Sequence, residues 1–250
     1  MNGGYLRETK RFGYGVVSVL PLLALYEYGI WHGALGRALN GADALLRLGL
    51  AFIAALFGIQ YGTWLVAAAV ALLAVGFLFY LKRERVRLRA GYLAAMLVEA
   101  ALMGLVLAVL VHLMLSRQLP HFFTFQENPG VVQQLSRQGL ATPWSKVVAA
   151  VGAGVFEELL FRVLLLGMLF RLWARPHTAF GDDPAASARA ILASSALFAA
   201  LHLGSVGVGG LISIFTASLL LSGVYWSRGY GIAALSHTVF DLCLMFGIVA

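Results

Sequence analysis

Two acids and a guanidinium share the run GVFEELLFRVLL, in which Glu157 and Glu158 precede Arg162. Glu158 and Arg162 are four residues apart with the acid on the N-terminal side, the order that favours an ion pair along one helix face. That pairing neutralises Glu158. Glu157 is turned about 100° around the same helix and gains no such partner locally, so its carboxylate is left for chemistry. Further on, SALFAALHLG sets Phe198 and His202 one turn apart. AALSHTVFDL sets His237 and Asp241 four apart, close enough for a carboxylate to fix the tautomer and orientation of an imidazole. A carboxylate, two imidazoles and an aspartate around one water would activate it and stabilise the oxyanion of a peptide tetrahedral intermediate, with no metal required. Each set also has a plainer reading. Membrane helices hold one another through buried polar groups, and a lone histidine in an apolar span packs more often than it catalyses.

The elements that must position these side chains belong to a chain that water cannot solvate. Of its 250 residues, 61% are hydrophobic and only 12% charged, and the mean hydropathy is +0.86. Apolar stretches long enough to cross a hydrocarbon core of roughly 30 Å recur along most of the sequence. Candidate spans are about 12–31, 62–81, 91–115, 146–170, 189–203, 210–227 and 231–249, separated at 82–89, 116–143, 171–189, a Gly204–Gly210 turn and 228–231. The expected fold is therefore all-α: one polytopic integral-membrane domain over 1–250 with seven or eight transmembrane helices, and the three motifs in a C-terminal core over 146–249. The first span carries Glu27 and has no clear small-residue cleavage site, so it reads as a retained helix rather than a signal peptide. The stretch 44–59 is short and interrupted by Arg47. Treating it as interfacial, with the N-terminus inside, puts most of the 18 Lys and Arg on the cytoplasmic side, as the positive-inside rule demands. The net charge of +7 then reflects loops facing anionic lipid, not nucleic acid. With Cys243 the only cysteine, no disulfide framework or cysteine pair for a metal exists. Any ionisable group at bilayer depth costs several kcal/mol and is a functional candidate. By that criterion Glu27, Glu99 and His112 join the motif residues without an assigned role.

The order EExxxR, FxxxH, HxxxD on successive late helices resembles the CPBP family of intramembrane glutamic endopeptidases, which includes type II CAAX prenyl proteases and bacterial Abi-like members. The resemblance covers about 146–249. It implies that Glu157 is the general base for water, that His202 helps bind that water, and that His237 with Asp241 supports the oxyanion, with Glu158, Arg162 and Phe198 in support. Many prenyl-protease members have Asn where Asp241 stands. Asp donates no hydrogen bond unless protonated, so orienting His237 is the role that fits it best. The resemblance further implies about eight helices, no cofactor, and a membrane-anchored protein or lipidated peptide as substrate, either a prenylated CAAX protein or a C-terminal sorting signal. Composition suggests a bacterial inner (cytoplasmic) membrane. Two other classes stay open. His202, His237 and Glu157 could form a two-His-one-carboxylate zinc site, although no HExxH helix is present. A non-catalytic scaffold or transporter could instead use Glu27, Glu99 and His112 as a proton relay.

Overall fold

The computed structural model of the chain describes residues 4–35, 40–56, 75–77, 79–83, 86–116 and 142–249. Helices are the regular structure throughout these residues. They comprise α1 (Gly4–Thr9), α2 (Phe12–Trp31), α3 (Gly41–Leu56), α4 (Ala90–Ser116), α5, α6 (Pro184–Leu201), α7 (Leu203–Arg228) and α8 (Tyr230–Met245). Here α5 is a composite helix: α-helical Pro143–Gly152, π-helical Ala153–Glu157 and Leu159–Leu166, then α-helical Gly167–Trp173. Residues 75–77 and 79–83 are helical as well.

Local chemistry sets several of these ends. Thr142 and Ser145 form a reciprocal capping box at the start of α5, each backbone N–H bonded at 3.0 Å to the other's hydroxyl, with Pro143 in the first turn. Asp183 caps α6 by accepting the Ala186 N–H at 3.0 Å, and Pro184 follows it. The α6 helix therefore begins five residues before the expected 189. Between α7 and α8 the chain turns at Gly229, whose φ of +81° favours glycine.

Four helices among the described residues are long and apolar enough to cross a membrane: Phe12–Trp31, Ala90–Leu113, Pro184–Leu201 and Gly210–Arg228. They coincide with four of the seven expected spans. The expected span 62–81 lies largely outside the described residues. The α8 helix is apolar but has 16 residues, and α5 covers the expected 146–170 with three extra residues at each end. The expected Gly204–Gly210 turn is not a turn. α7 is helical from Leu203, and the break from α6 is the single residue His202. A helical glycine costs only about 1 kcal/mol relative to alanine, a preference that tertiary context overrides.

α8 is the centre of the bundle, packing on α2, α4, α5 and α7, and Tyr230–Thr238 are buried without interruption. Glycines permit the closest approaches. A Cβ on Gly104 of α4 would meet the Ser236 carbonyl and Val239 of α8. One on Gly154 of α5 would meet Thr238 Oγ1 and the Ala234 carbonyl, and one on Gly152 would enter the Tyr26 ring. Val19, Tyr26, Val148, Val151, Val155 and Ala234 fill the space among α2, α5 and α8. Leu107, Val111, Leu221 and Phe240 do the same for α4, α7 and α8. The outward face of α4, with Leu97, Val98, Leu102 and Val106 all more than half exposed, is apolar surface fit for lipid.

Candidate active site

The motif residues of α5 lie on its π-helical stretch. A π turn widens the helix and releases backbone acceptors from the regular ladder, and such turns cluster at functional sites. Here the acceptors are taken by neighbours: Tyr230 OH donates to the Val155 carbonyl at 3.0 Å, and Ser194 Oγ to the Phe161 carbonyl at 2.9 Å. The distortion is thus pinned from α8 and α6. Sequence periodicity alone predicts an α-helix through this region. The glycine pair 152/154, wedged against Tyr26 and α8, is the packing that accompanies the departure from it.

Glu158 and Arg162 are both wholly buried and face one another, Arg162 Nε lying 3.3 Å from Glu158 Oε2. Arg162 also donates to the Ser218 hydroxyl at 3.1 Å and to its carbonyl at 3.3 Å, and stacks its guanidinium 4.8 Å from the Phe198 ring centre. The expected ion pair therefore forms, held in place by α7 and α6.

His237 of α8 meets three carboxylates. Its Nδ1 is 2.8 Å from Glu158 Oε1. Its Nε2 lies 3.7 Å from Asp241 Oδ1 and 4.0 Å from Glu157 Oε2, beyond hydrogen-bond range of either. The expected neighbour Asp241 is thus at ion-pair distance from Nε2, and the ring has a hydrogen-bond partner that spacing did not indicate: Glu158, from another helix and facing Arg162, at Nδ1. Asp241 is left beside Nε2, the same side as Glu157, so two carboxylates and one imidazole nitrogen surround a single point.

His202 stands at the α6–α7 junction. Its Nδ1 is 2.8 Å from the Phe198 carbonyl and its ring lies 4.7 Å from the Phe198 ring, whose other neighbours are Phe161 at 4.9 Å and His237 at 6.3 Å. Phe198 is thus a ring neighbour of both imidazoles. Glu157 and Asp241 are both partly open, with side chains 13% and 16% exposed. Among the described residues no group of three His, Cys, Asp or Glu side chains has an arrangement that would hold a metal ion.

One contact was not anticipated. Asn40, just before α3, donates its Nδ2 to Glu157 Oε1 at 2.9 Å. The signal was present in the segment NGADALL, where an Asn followed three residues later by an acid and then an apolar run marks a helix start. Arg47 likewise has a place: it pairs with Asp43 at 2.7 Å and with Glu27 at 2.5 Å. Glu99 pairs with Arg228 and accepts from Tyr5 OH at 2.7 Å.

No curated protein and no solved structure matches this chain. Residues 139–243 match the family model described as type II CAAX prenyl endopeptidase, Rce1-like. That region contains Glu157, Glu158, Arg162, Phe198, His202, His237 and Asp241. The match makes residues 139–243 of this integral membrane protein similar to the Rce1-like type II CAAX prenyl endopeptidases, and its helices are apolar enough to cross a bilayer.

Proposed function

We propose that the chain is an intramembrane endopeptidase that hydrolyses a peptide bond in a prenylated or otherwise membrane-anchored substrate. Glu157 takes a proton from water through Oε2, on the His237 side. His237 acts as the imidazolium, its charge met by the carboxylates around it: Nδ1 donates to Glu158 and Nε2 donates to the oxygen of the tetrahedral intermediate. Glu158 can hold that role in apolar surroundings because Arg162 balances its charge. His202 and Asp241 flank the reacting point, His202 towards the water and Asp241 shaping the field at His237. Phe198 packs beside both imidazoles and covers Arg162. No metal takes part in this scheme. The substrate helix enters laterally and unwinds near the site, because a hydrogen-bonded helical peptide shields its carbonyls from attack. A single catalytic core over 146–249 inside a bundle of seven or eight spans, set in a bacterial cytoplasmic membrane, completes the reading.

The observation that carries it is the meeting of Glu157, Asp241 and His237 Nε2 at one partly open point, with the far edge of the ring anchored by a charge-balanced acid. The test is cleavage of an internally quenched farnesylated peptide ending in a CAAX tetrapeptide, using purified protein in nanodiscs. Glu157→Gln is expected to abolish cleavage, and chelation to leave wild-type cleavage unchanged. Wild-type rates in Glu157→Gln would remove Glu157 from the mechanism, and activity lost to a chelator and restored by zinc would replace it with metal-assisted hydrolysis.

A further inference from the structure

Asn40 makes two kinds of bond with one carboxamide. Its Oδ1 accepts from the backbone N–H groups of Ala42 at 2.9 Å and Asp43 at 3.4 Å, which caps the first turn of α3. Its Nδ2 donates to Glu157 Oε1 at 2.9 Å, across 117 residues of sequence. The orientation of the amide is thereby fixed at both ends, since a flipped group would aim N–H at N–H on one side and oxygen at carboxylate on the other. The seat is itself held. Asn40 N–H donates to Tyr26 OH at 3.2 Å, Tyr26 OH donates to Asp43 Oδ2 at 3.0 Å, and Arg47 ties Asp43 to Glu27 of α2. The Tyr26 ring in turn packs edge-on against Phe156, the neighbour of Glu157, at 5.1 Å.

We infer that Asn40 is a positioning residue for the candidate base, coupling the seating of α3 to the aim of the Glu157 carboxylate. The inference rests on the proposed role of Glu157. With Oε1 held by the Asn40 amide, Oε2 is the oxygen turned to His237, the side on which a substrate carbonyl and a water must meet. Unseating α3 releases that restraint, so the same contact lets the N-terminal helices act on the catalytic core.

The swap Asn40→Asp separates capping from positioning. Asp caps a helix as well as Asn does, but it replaces the donor facing Glu157 with a second carboxylate. The titratable and charged groups carried by the elements packed about Glu157 are His237 and Asp241 of α8, Glu158 and Arg162 of α5, His202, and Tyr26, Glu27, Asp43 and Arg47 of α2 and α3. These stay constant in the comparison. Full-length protein in nanodiscs is melted at about pH 8, well above the ordinary range of a free carboxylate. Asn40→Asp is expected to melt below wild type. The double variant Asn40→Asp/Glu157→Gln is expected to recover, because the Gln amide now donates to the new carboxylate. On the farnesylated peptide, Asn40→Asp is expected to lose roughly 10- to 100-fold in kcat/KM at neutral pH, with the acid limb of the profile displaced upward by the added negative charge. Asn40→Ser, which keeps the cap and removes the donor, is expected to lose activity without that displacement.

Asn40→Asp melting and cutting as wild type would reduce Asn40 to a helix cap and overturn the inference. So would a melt rescued by Glu157→Gln alongside a wild-type rate and pH profile. A wild type that leaves the peptide uncut would instead count against the proposed substrate, and the melting cycle alone would then decide whether Asn40 and Glu157 are coupled.

Discussion

Replacing Glu158 by Gln perturbs one atom and removes one charge at the most enclosed point of the site. Arg162 has no solvent exposure and faces Glu158 at 3.3 Å, and His237 Nδ1 faces it at 2.8 Å. A Gln oxygen can still accept from one of them, yet nothing then balances the guanidinium, which is held among apolar side chains. Removing one member of a buried ion pair costs about 3–5 kcal/mol, most of it the penalty of the charge left behind. At about 2–4 °C per kcal/mol for a chain of this size, the expected fall in melting temperature is roughly 6–20 °C. The measurement is a thermal melt in nanodiscs of Glu158→Gln, Glu157→Gln and the double variant Glu158→Gln/Arg162→Met. Glu157→Gln, on the partly open side and still able to accept from Asn40, is expected to melt within about 1 kcal/mol of wild type. The double variant is expected to regain much of the Glu158→Gln loss, because the stranded charge is gone. A Glu158→Gln protein as stable as Glu157→Gln would refute the reasoning that Arg162 depends on Glu158.

Gly154→Ala places a methyl against Thr238 Oγ1 and the Ala234 carbonyl, atoms that α8 cannot move independently, and should lower the melting midpoint by about 1–3 kcal/mol without touching the chemistry of Glu157. Glu99→Gln should cost about 1–3 kcal/mol, because Arg228, which also donates to Thr9 Oγ1 at 2.9 Å and to the Leu6 carbonyl at 3.1 Å, loses its counter-charge. Melting is again the readout, with detachment of α1 followed by limited proteolysis. The Ala186 N–H, with Arg175 and Arg189 adding positive charge, holds the Asp183 carboxyl below the usual carboxylate range. A depressed folded-state pKa contributes stability above the unfolded-state value near 4, which is lost as pH falls through the folded-state value. Asp183→Asn, which retains a cap without a charge, should therefore show a flatter decline of melting temperature below about pH 4 than wild type.

Spacing within one helix was legible in the sequence. Glu158 and Arg162 are four apart and pair as that interval predicts, and the apolar runs behind α2, α4, α6 and α7 give four helices of spanning length. Relations between helices were less so. The four-residue interval from His237 to Asp241 suggested a local pair, which is met at ion-pair distance, but the ring's hydrogen-bond partner comes from α5, since interval says which side chains share a face and nothing about what a second helix brings to it. The π turn was invisible for a related reason: its freed carbonyls are answered by Tyr230 and Ser194, both remote in sequence. Asn40 was missed because hydropathy placed the third segment at 44, four residues inside the cap that begins it.

Of Glu27, Glu99 and His112, the residues a proton relay would use, the first two each face a guanidinium. Glu27 is held by Arg47 and Glu99 by Arg228, so both read as ties: one fastens α3 to α2, the other fastens α1 to α4 and α7. Glu158 is held in the same manner by Arg162. Glu157 has a neutral amide where those three have a guanidinium: Asn40 donates to Oε1, and His237 Nε2 stands 4.0 Å from Oε2. In the proposed scheme that amide holds Oε1 and leaves Oε2 turned to His237, the side on which a general base would meet its water.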